Sequence, residues 1–232
     1  EIMPSLVGSE MCIRDRSYIQ GYVSSIGYGD NKVYVGYDNG RVQAFDENTL
    51  ESLWITDENK NAINADFTFT NGKLYFGTTA KTTDWYDNGA PFSYYVVTTS
   101  DDDKTKPDEE KIMKKVVESK TGKFYLKKGV VLGKYIVISD TAGTLTMIDT
   151  TNDKVTDTKD IGEAFSGNIT YDEMTGTIYF VAGTNDLYGI KVSADGKLKD
   201  EKKVRLYETG YSATTPEVYN GCLLYTSPSP RD

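Results

Sequence analysis

The chain has 232 residues, and its 26 lysines and arginines against 35 aspartates and glutamates give a formal net charge of −9. This acidic balance argues against a nucleic-acid partner, because phosphate binding relies on a basic surface. Histidine is absent, which excludes a Ser-His-Asp triad, a histidine general base and a histidine-ligated zinc within this sequence. No apolar run reaches the roughly 18 residues that a membrane span needs.

The two ends of the chain are unrelated to the rest of it. One permitted codon choice for the tail CLLYTSPSPRD gives a DNA that resembles the transposase-end adapter of short-read sequencing libraries. The reverse complement of that DNA, shifted by two bases, translates as LVGSEMCIRD, which the chain carries near its start. We therefore predict that residues 1–16 and 222–232 derive from adapter DNA and hold no domain. Residues 17–221 are then the biological segment, without histidine or cysteine and without its true ends.

A repeated unit runs through that segment. Residues 29–54 read as a short alternating run, an Asp-Asn-Gly turn, a second alternating run, a polar turn and a strand that ends in tryptophan. The first half returns in 71–78, and the whole unit returns in 133–155 and 175–198. Alternation with β-branched and aromatic residues predicts strands, and Asp-Asn-Gly predicts a tight hairpin.

The spacing of the copies predicts the fold. Their central residues align as Tyr34, Tyr75, Ile136 and Tyr179, at intervals of 41, 61 and 43 residues, and two of these intervals match a four-stranded propeller blade of about 40–50 residues. We predict an all-β fold: a partial β-propeller of about four four-stranded antiparallel blades plus the first strand of a fifth. The predicted blades are 22–56, 65–120, 129–160 and 167–207, with the next beginning at 211–221.

One stretch, residues 107–120, has two interpretations. Pro107 and the acids that follow it suit the first turn of a helix. The adjacent valines, and the position after a strand-like run, favour an outer strand, which is our prediction. The preceding residues 101–110 are predicted to be a solvated loop. A calcium site at Asp101 to Asp103 is disfavoured, because no Asp-x-Asp-x-Asp-Gly pattern is present.

The repeat resembles that of the pyrroloquinoline-quinone-like (PQQ-like) β-propellers. The closest copy is 31–54, with its VYVG, Asn-Gly, Ala-Phe-Asp and Asn-Thr elements and its closing Trp54. The resemblance covers essentially all of 17–221, strongly in the first copy and loosely in the others. It implies one of two kinds of function. Quinoprotein oxidoreductases hold the quinone over calcium, often against a disulfide of adjacent cysteines, whereas other members are non-catalytic scaffolds in surface proteins and in outer-membrane assembly lipoproteins.

The sequence fits the non-catalytic scaffolds better than the quinoprotein oxidoreductases. No adjacent cysteines occur, and Trp54 is predicted to pack between blades rather than against a cofactor. Asp46 and Asp149 recur at one repeat position, which indicates a role in stabilising turns. We predict no catalytic, cofactor-binding or metal-binding residue in the chain and lean against an enzyme. The alternative is a fragment of a quinoprotein oxidoreductase whose cofactor site lies in missing blades.

The segment TAKTTDWYDNGAPF at 79–92 is the candidate binding loop. It replaces a tight hairpin, and exposed aromatic residues on a rigid scaffold are typical of binding surfaces. The alternative is that the aromatic side chains fold back over the edge of the blade. The expected partner is an unknown protein or a small ligand at the propeller mouth, and the expected location is extracellular or on a bacterial cell surface. The candidate residues are Trp85, Tyr86, Asp87, Asn88 and Pro91.

Overall fold

The computed structural model describes residues 23–81, 91–102, 105, 109–119, 122–165, 167–206, 215–219 and 222–224. The described residues form only β-strands, turns and irregular segments. The strands of the first half are β1 Val23–Gly29, β2 Lys32–Tyr37, β3 Val42–Asp46, β4 Ser52–Thr56, β5 Thr68–Thr70, β6 Lys73–Gly77, β7 Ser93–Thr98, β8 Glu109–Lys111 and β9 Lys114–Glu118. Those of the second half are β10 Val130–Leu132, β11 Tyr135–Ser139, β12 Thr144–Asp149, β13 Lys154–Asp160, β14 Thr170–Asp172, β15 Thr177–Ala182, β16 Asp186–Val192, β17 Leu198–Arg205, β18 Glu217–Tyr219 and β19 Cys222–Leu224.

These strands build four consecutive antiparallel blades. The first is β1-β2-β3-β4, the second β5-β6-β7-β9, the third β10-β11-β12-β13 and the fourth β14-β15-β16-β17. In the first, third and fourth blades short turns join neighbouring strands, whereas in the second blade longer segments join β6 to β7 and β7 to β9. The predicted all-β class and partial propeller are confirmed.

The stretch 107–120 contains strands, as the sequence favoured, but it divides between two blades. Strand β9 is the outer strand of the second blade, where it pairs with β7. Strand β8 instead pairs in parallel with β4 of the first blade. Glu109 and Glu110, which the sequence placed in a solvated loop, therefore belong to a strand. Because β8 and β9 follow each other in the chain, the pairing of β8 with β4 connects the outer strands of the first two blades.

Apolar side chains fill the space between successive blades. Tyr34 and Trp54 of the first blade pack with Phe76 of the second. Tyr75 of the second packs with Ile136 of the third. A third cluster joins the third and fourth blades, with the side chains of Leu132, Tyr135, Val137, Leu145 and Met147 facing those of Ile169, Ile178, Phe180, Tyr188 and Ile190.

The strand register corrects one predicted alignment. Tyr34 lies opposite Ala44, two residues before Asp46, and Val137 lies opposite Met147, two residues before Asp149. Val137, and not Ile136, is therefore the equivalent of Tyr34. Successive residues of a strand point to opposite faces, so the shift by one residue reverses the face. Ile136 packs toward the second blade, whereas Val137 packs toward the fourth.

Beyond the fourth blade, β18 and β19 form a two-stranded antiparallel sheet. The residues just before β18 bond to the fourth blade: the Thr215 hydroxyl accepts the backbone N–H of Asn168 at 3.0 Å, and the Thr170 hydroxyl donates to the Pro216 carbonyl. Strand β18 therefore lies beside the inner strand β14, as the first strand of a next blade would. The adapter origin of 222–232 stays a prediction.

Candidate interaction surface

The antiparallel topology places two kinds of loop on each side of the arc. The turns between second and third strands lie on the same side as the connectors from one blade to the next, and we call this side the mouth face. The turns between first and second strands and between third and fourth strands lie on the opposite face. The candidate loop 79–92 joins β6 to β7, so it belongs to the mouth face.

Hairpin turns on the mouth face press against the connectors. Gly40 and Gly143 have φ angles of +87° and +105°. A Cβ atom at Gly40 would lie 2.2 Å from the Asn59 carbonyl oxygen, and one at Gly143 would lie 2.2 Å from that of Glu163. Only glycine tolerates both the backbone angle and this approach. The Gly40 and Gly143 carbonyls also accept connector N–H groups at 3.0 Å, which fixes the connectors in place.

The base of the candidate loop is held at both ends. Ala62, in the connector between the first two blades, exchanges two backbone hydrogen bonds with Thr79 at 2.9 and 3.0 Å. The buried Asn61 amide donates to the Pro91 carbonyl at 3.1 Å. Next to Pro91, the fully buried Phe92 meets the Phe124 ring edge-on at 4.6 Å between centroids. A rigid base on the mouth face therefore presents the loop.

Of the five candidate binding residues, the structure describes one. Pro91 is exposed at the returning end of the loop. Trp85, Tyr86, Asp87 and Asn88 lie outside the described residues.

The recurring aspartates stabilise turns on the opposite face, as their repeat position indicated. Asp46 Oδ1 accepts the backbone N–H groups of Asn48 and Thr49, each at 2.9 Å. Asp149 Oδ1 accepts the N–H of Thr151 at 2.9 Å and its hydroxyl at 2.6 Å. These bonds favour the charged form of each carboxyl, and they hold the pKa of both aspartates below the usual value.

A polar cluster locks the second blade to the third on the opposite face. Asp153 Oδ1 accepts from Lys73 Nζ at 2.8 Å and from the Tyr75 hydroxyl at 2.7 Å, and its Oδ2 accepts from Lys114 Nζ at 3.1 Å. Burial acts to raise the pKa of Asp153, but these three hydrogen bonds outweigh it and the pKa is lowered. Burial and the bond to Asp153 raise the pKa of Tyr75. The Asp153 carboxylate is thus charged, and both of its oxygens accept hydrogen bonds.

Trp54 lies between the first two blades, as predicted. Its side chain is fully buried, its ring centroid is 5.8 Å from that of Tyr34, and its Nε1 donates to the Thr99 carbonyl of the second blade at 3.4 Å. Lys111 Nζ lies 5.7 Å from the ring centroid and also binds Asp102 at 3.0 Å. One of the aspartates in the disfavoured calcium pattern therefore pairs with a lysine. Asp103 lies outside the described residues.

The fourth blade presents a half-open face on the side away from the third. A cleft of about 540 Å³ lies on it, with Tyr179, Leu187 and Gly189 among its lining residues and with Lys191 and Lys202 also lining it. The Tyr179 ring lies against Gly189, where an added Cβ would be 3.1 Å from the ring. The cleft surface is mainly apolar, and Lys191, Lys202, Lys203 and Asp200 supply its charged groups.

No group of three or more histidine, cysteine, aspartate or glutamate side chains with the arrangement of a metal site occurs among the described residues. The same part of the chain contains no helix of the length and apolarity needed to cross a membrane.

Four-stranded antiparallel blades, packed face to face and joined by connectors on one side, define an arc of a β-propeller. No family model matches the chain, and no curated protein sequence matches it. Among solved structures, the chain is similar to the crystal structure of BamB from Moraxella catarrhalis. The TM-score is 0.61 at 13% identity, over 89% of this chain and 56% of that one. BamB is itself a β-propeller.

The chain is also similar to the computationally designed Ika8 protein, with a TM-score of 0.60 at 11% identity, over 91% of this chain and 57% of that one. The chain thus spans little more than half the length of either structure. At these identities the likeness concerns the fold alone.

Two features of the surface escaped the sequence analysis. The Asp153 cluster joins residues 39 to 80 positions apart, and the cleft on the fourth blade depends on cross-strand register. The Lys-x-Tyr pattern of 73–75 is no signal for the first, since it also occurs at 32–34, where Lys32 binds Asp30 instead.

Proposed function

We propose that the protein is a non-catalytic β-propeller scaffold whose mouth face binds a partner protein through the loop 79–92. The observation that carries this proposal is the anchoring of the loop: Asn61 and Ala62 hold its two ends, while the neighbouring hairpins are tight turns. Binding loops are most effective where a rigid scaffold positions them, because little conformational entropy is then lost on binding.

The proposal extends to the whole protein. We infer that residues 17–221 are an arc of a larger propeller and that the complete protein acts at a bacterial surface or is secreted. The repeat pattern supports the larger ring, and its resemblance to the propeller scaffolds of surface proteins supports the location. Cloning the reading frame from genomic DNA tests both points. Further blade-length repeats and a signal segment are expected, whereas a stop codon directly after Gly221 would contradict the larger ring.

Site-specific crosslinking tests the role of the loop. A photo-crosslinking residue placed at Tyr86 is expected to yield a discrete protein adduct when the chain is incubated with envelope proteins of the source bacterium. The same residue at Met174, which is 82% exposed in a turn of the opposite face, is the matched control. Replacement of 82–90 by Asp-Asn-Gly, which keeps Thr79, Pro91 and the buried Phe92, is expected to abolish the adduct and leave the circular dichroism spectrum unchanged. Identical adducts from both positions would contradict the proposal.

A further inference from the structure

The second and fourth blades carry matching rows of side chains across their sheets. Each row joins directly opposed residues on the four strands, from the inner strand to the outer one. Both rows begin with threonine, continue with tyrosine and end with lysine. They are Thr68, Tyr75, Val96, Lys114 in the second blade and Thr170, Tyr179, Gly189, Lys202 in the fourth.

In the second blade, the row binds the third blade at both of its ends. The Thr68 hydroxyl accepts the backbone N–H of Gly129, just before strand β10, at 2.7 Å. At the outer end, the Tyr75 hydroxyl and Lys114 Nζ donate to the two carboxylate oxygens of Asp153. Asp153 lies in the turn between the third and fourth strands of its blade. The row therefore recognises an inner strand and an acidic turn together.

In the fourth blade, the inner end of the row already has its neighbour. The Thr170 hydroxyl donates to the carbonyl of Pro216. Pro216 directly precedes β18, just as Gly129 directly precedes β10. The outer end faces the cleft: Tyr179 is half-buried and Lys202 is exposed, and both line it. Gly189 replaces Val96 between them, which leaves room for a larger side chain.

We propose that this open face takes a further four-stranded blade, whose turn between third and fourth strands places a carboxylate on Tyr179 and Lys202. A tyrosine hydroxyl and an ammonium are both donors, and a carboxylate supplies an acceptor oxygen to each. The exposed Lys191 beside them adds a second positive charge. The inference concerns contact between blades and does not depend on the loop of the mouth face.

A second copy of the chain, docked head to tail, would present its first blade and lacks the required group. Leu50 occupies the position of Asp153 there. The N–H groups of Leu50 and Asp153 bond to the carbonyls of the equivalent Asp46 and Asp149, and their φ angles are +56° and +58°. Leucine offers no acceptor to Tyr179 and Lys202. The occupant is therefore a different blade, with aspartate or glutamate at that position.

A chain extended by a second copy of the third blade tests the inference, because that blade carries an aspartate in the required turn. Residues 1–216 are joined to a second copy of residues 130–165, which carries Asp153, so that Val130 follows Pro216 as it follows Gly129. The extended chain is expected to melt several degrees above the parent. In a double-mutant cycle, Lys202→Met and Asp153→Asn in the added copy are expected to be coupled: the double mutant changes the unfolding equilibrium constant by about fivefold less than the product of the two single effects.

The controls separate this contact from general stabilisation. Lys199→Met, on the same strand but outside the cleft lining, is expected to show no coupling to the added Asp153. Tyr179→Phe is expected to lower the melting temperature in the extended chain and not in the parent. Absence of coupling in a folded extended chain would overturn the proposal.

Sedimentation of the parent chain covers the case in which the added copy does not fold. Its sedimentation coefficient is expected to be the same with and without Lys202→Glu. A dimer of the parent chain that dissociates on Lys202→Glu would identify a second copy as the occupant and would overturn the assignment.

Discussion

The hydroxyl of Tyr75 donates a 2.7 Å hydrogen bond to Oδ1 of Asp153, a residue 78 positions later in the chain. The bond joins strand β6 of the second blade to the turn before β13 of the third. Lys73 of the same strand and Lys114 of β9 bind the same carboxylate. One turn residue of the third blade thus connects to three positions on the second, and the blades are locked in register.

We expect Asp153→Asn to lower the free energy of unfolding by about 2 kcal/mol, the scale of hydrogen bonds to a charged group in a largely buried site. Urea denaturation measures the loss. Glu173→Gln, in an exposed turn of the fourth blade, is the control and is expected to be neutral. An equal effect of the two substitutions would show that the cluster contributes nothing specific.

The same pair predicts a pH dependence. The folded-state pKa of Asp153 lies below its usual 3.8, so the folded protein releases the proton more readily than the unfolded chain. The stability that Asp153 contributes is therefore complete above pH 3.8 and is lost as the pH falls through the lowered folded-state pKa. The stability difference between the wild type and Asp153→Asn is expected to shrink over that acid range. A constant difference would contradict the assigned role.

Gly143→Ala is expected to destabilise the protein far more than Gly72→Ala. Both glycines have positive φ angles, but a Cβ at Gly143 would lie 2.2 Å from the Glu163 carbonyl, whereas one at Gly72 meets nothing within 4 Å. Gly72→Ala carries only the backbone cost of about 1 kcal/mol. Gly143→Ala is expected to cost about 3 kcal/mol or more, because the connector must move. Thermal denaturation compares the two, and equal losses would argue against connector contact.

Lys111→Met is expected to be nearly neutral, whereas Lys111→Ala is expected to cost about 2 kcal/mol. The Lys111 side chain is only 7% exposed and its Nζ lies near the Trp54 ring, while its partner Asp102 is 63% exposed. Methionine fills the same space, and Asp102 left behind remains solvated. Alanine leaves a cavity beside the tryptophan. Chemical denaturation distinguishes packing from charge, since equal losses would assign the effect to the ion pair.

Pyrroloquinoline quinone and calcium, added together, are expected to change neither the absorption spectrum of the quinone nor the melting temperature of the chain. Trp54 is enclosed between two blades, with its Nε1 bonded to the Thr99 carbonyl, so its ring has no free face for a quinone. Parallel titrations with calcium alone are the control. A saturable spectral shift with quinone would favour the oxidoreductase interpretation over the scaffold.

Much of the fold was predictable from the sequence because its signals are local. Alternating apolar residues define the strands. Asp46 and Asp149 bond to backbone groups two or three positions away, so their role in turns followed from their place in the repeat. The interpretation of Trp54 as a residue between blades was also confirmed, since a bulky apolar residue on an outer strand has few other places to be buried.

Tertiary structure alone decided the features that depend on register between distant strands. Ile136 and Val137 are both apolar, so only the pairing of β11 with β12 shows which of them is the equivalent of Tyr34. The pairing of β8 with β4 and the hydrogen bonds to Asp153 likewise join residues that are distant in sequence. Local propensity determines where strands form. The packing of one blade on the next determines which side chains meet, because these contacts join residues tens of positions apart in the chain.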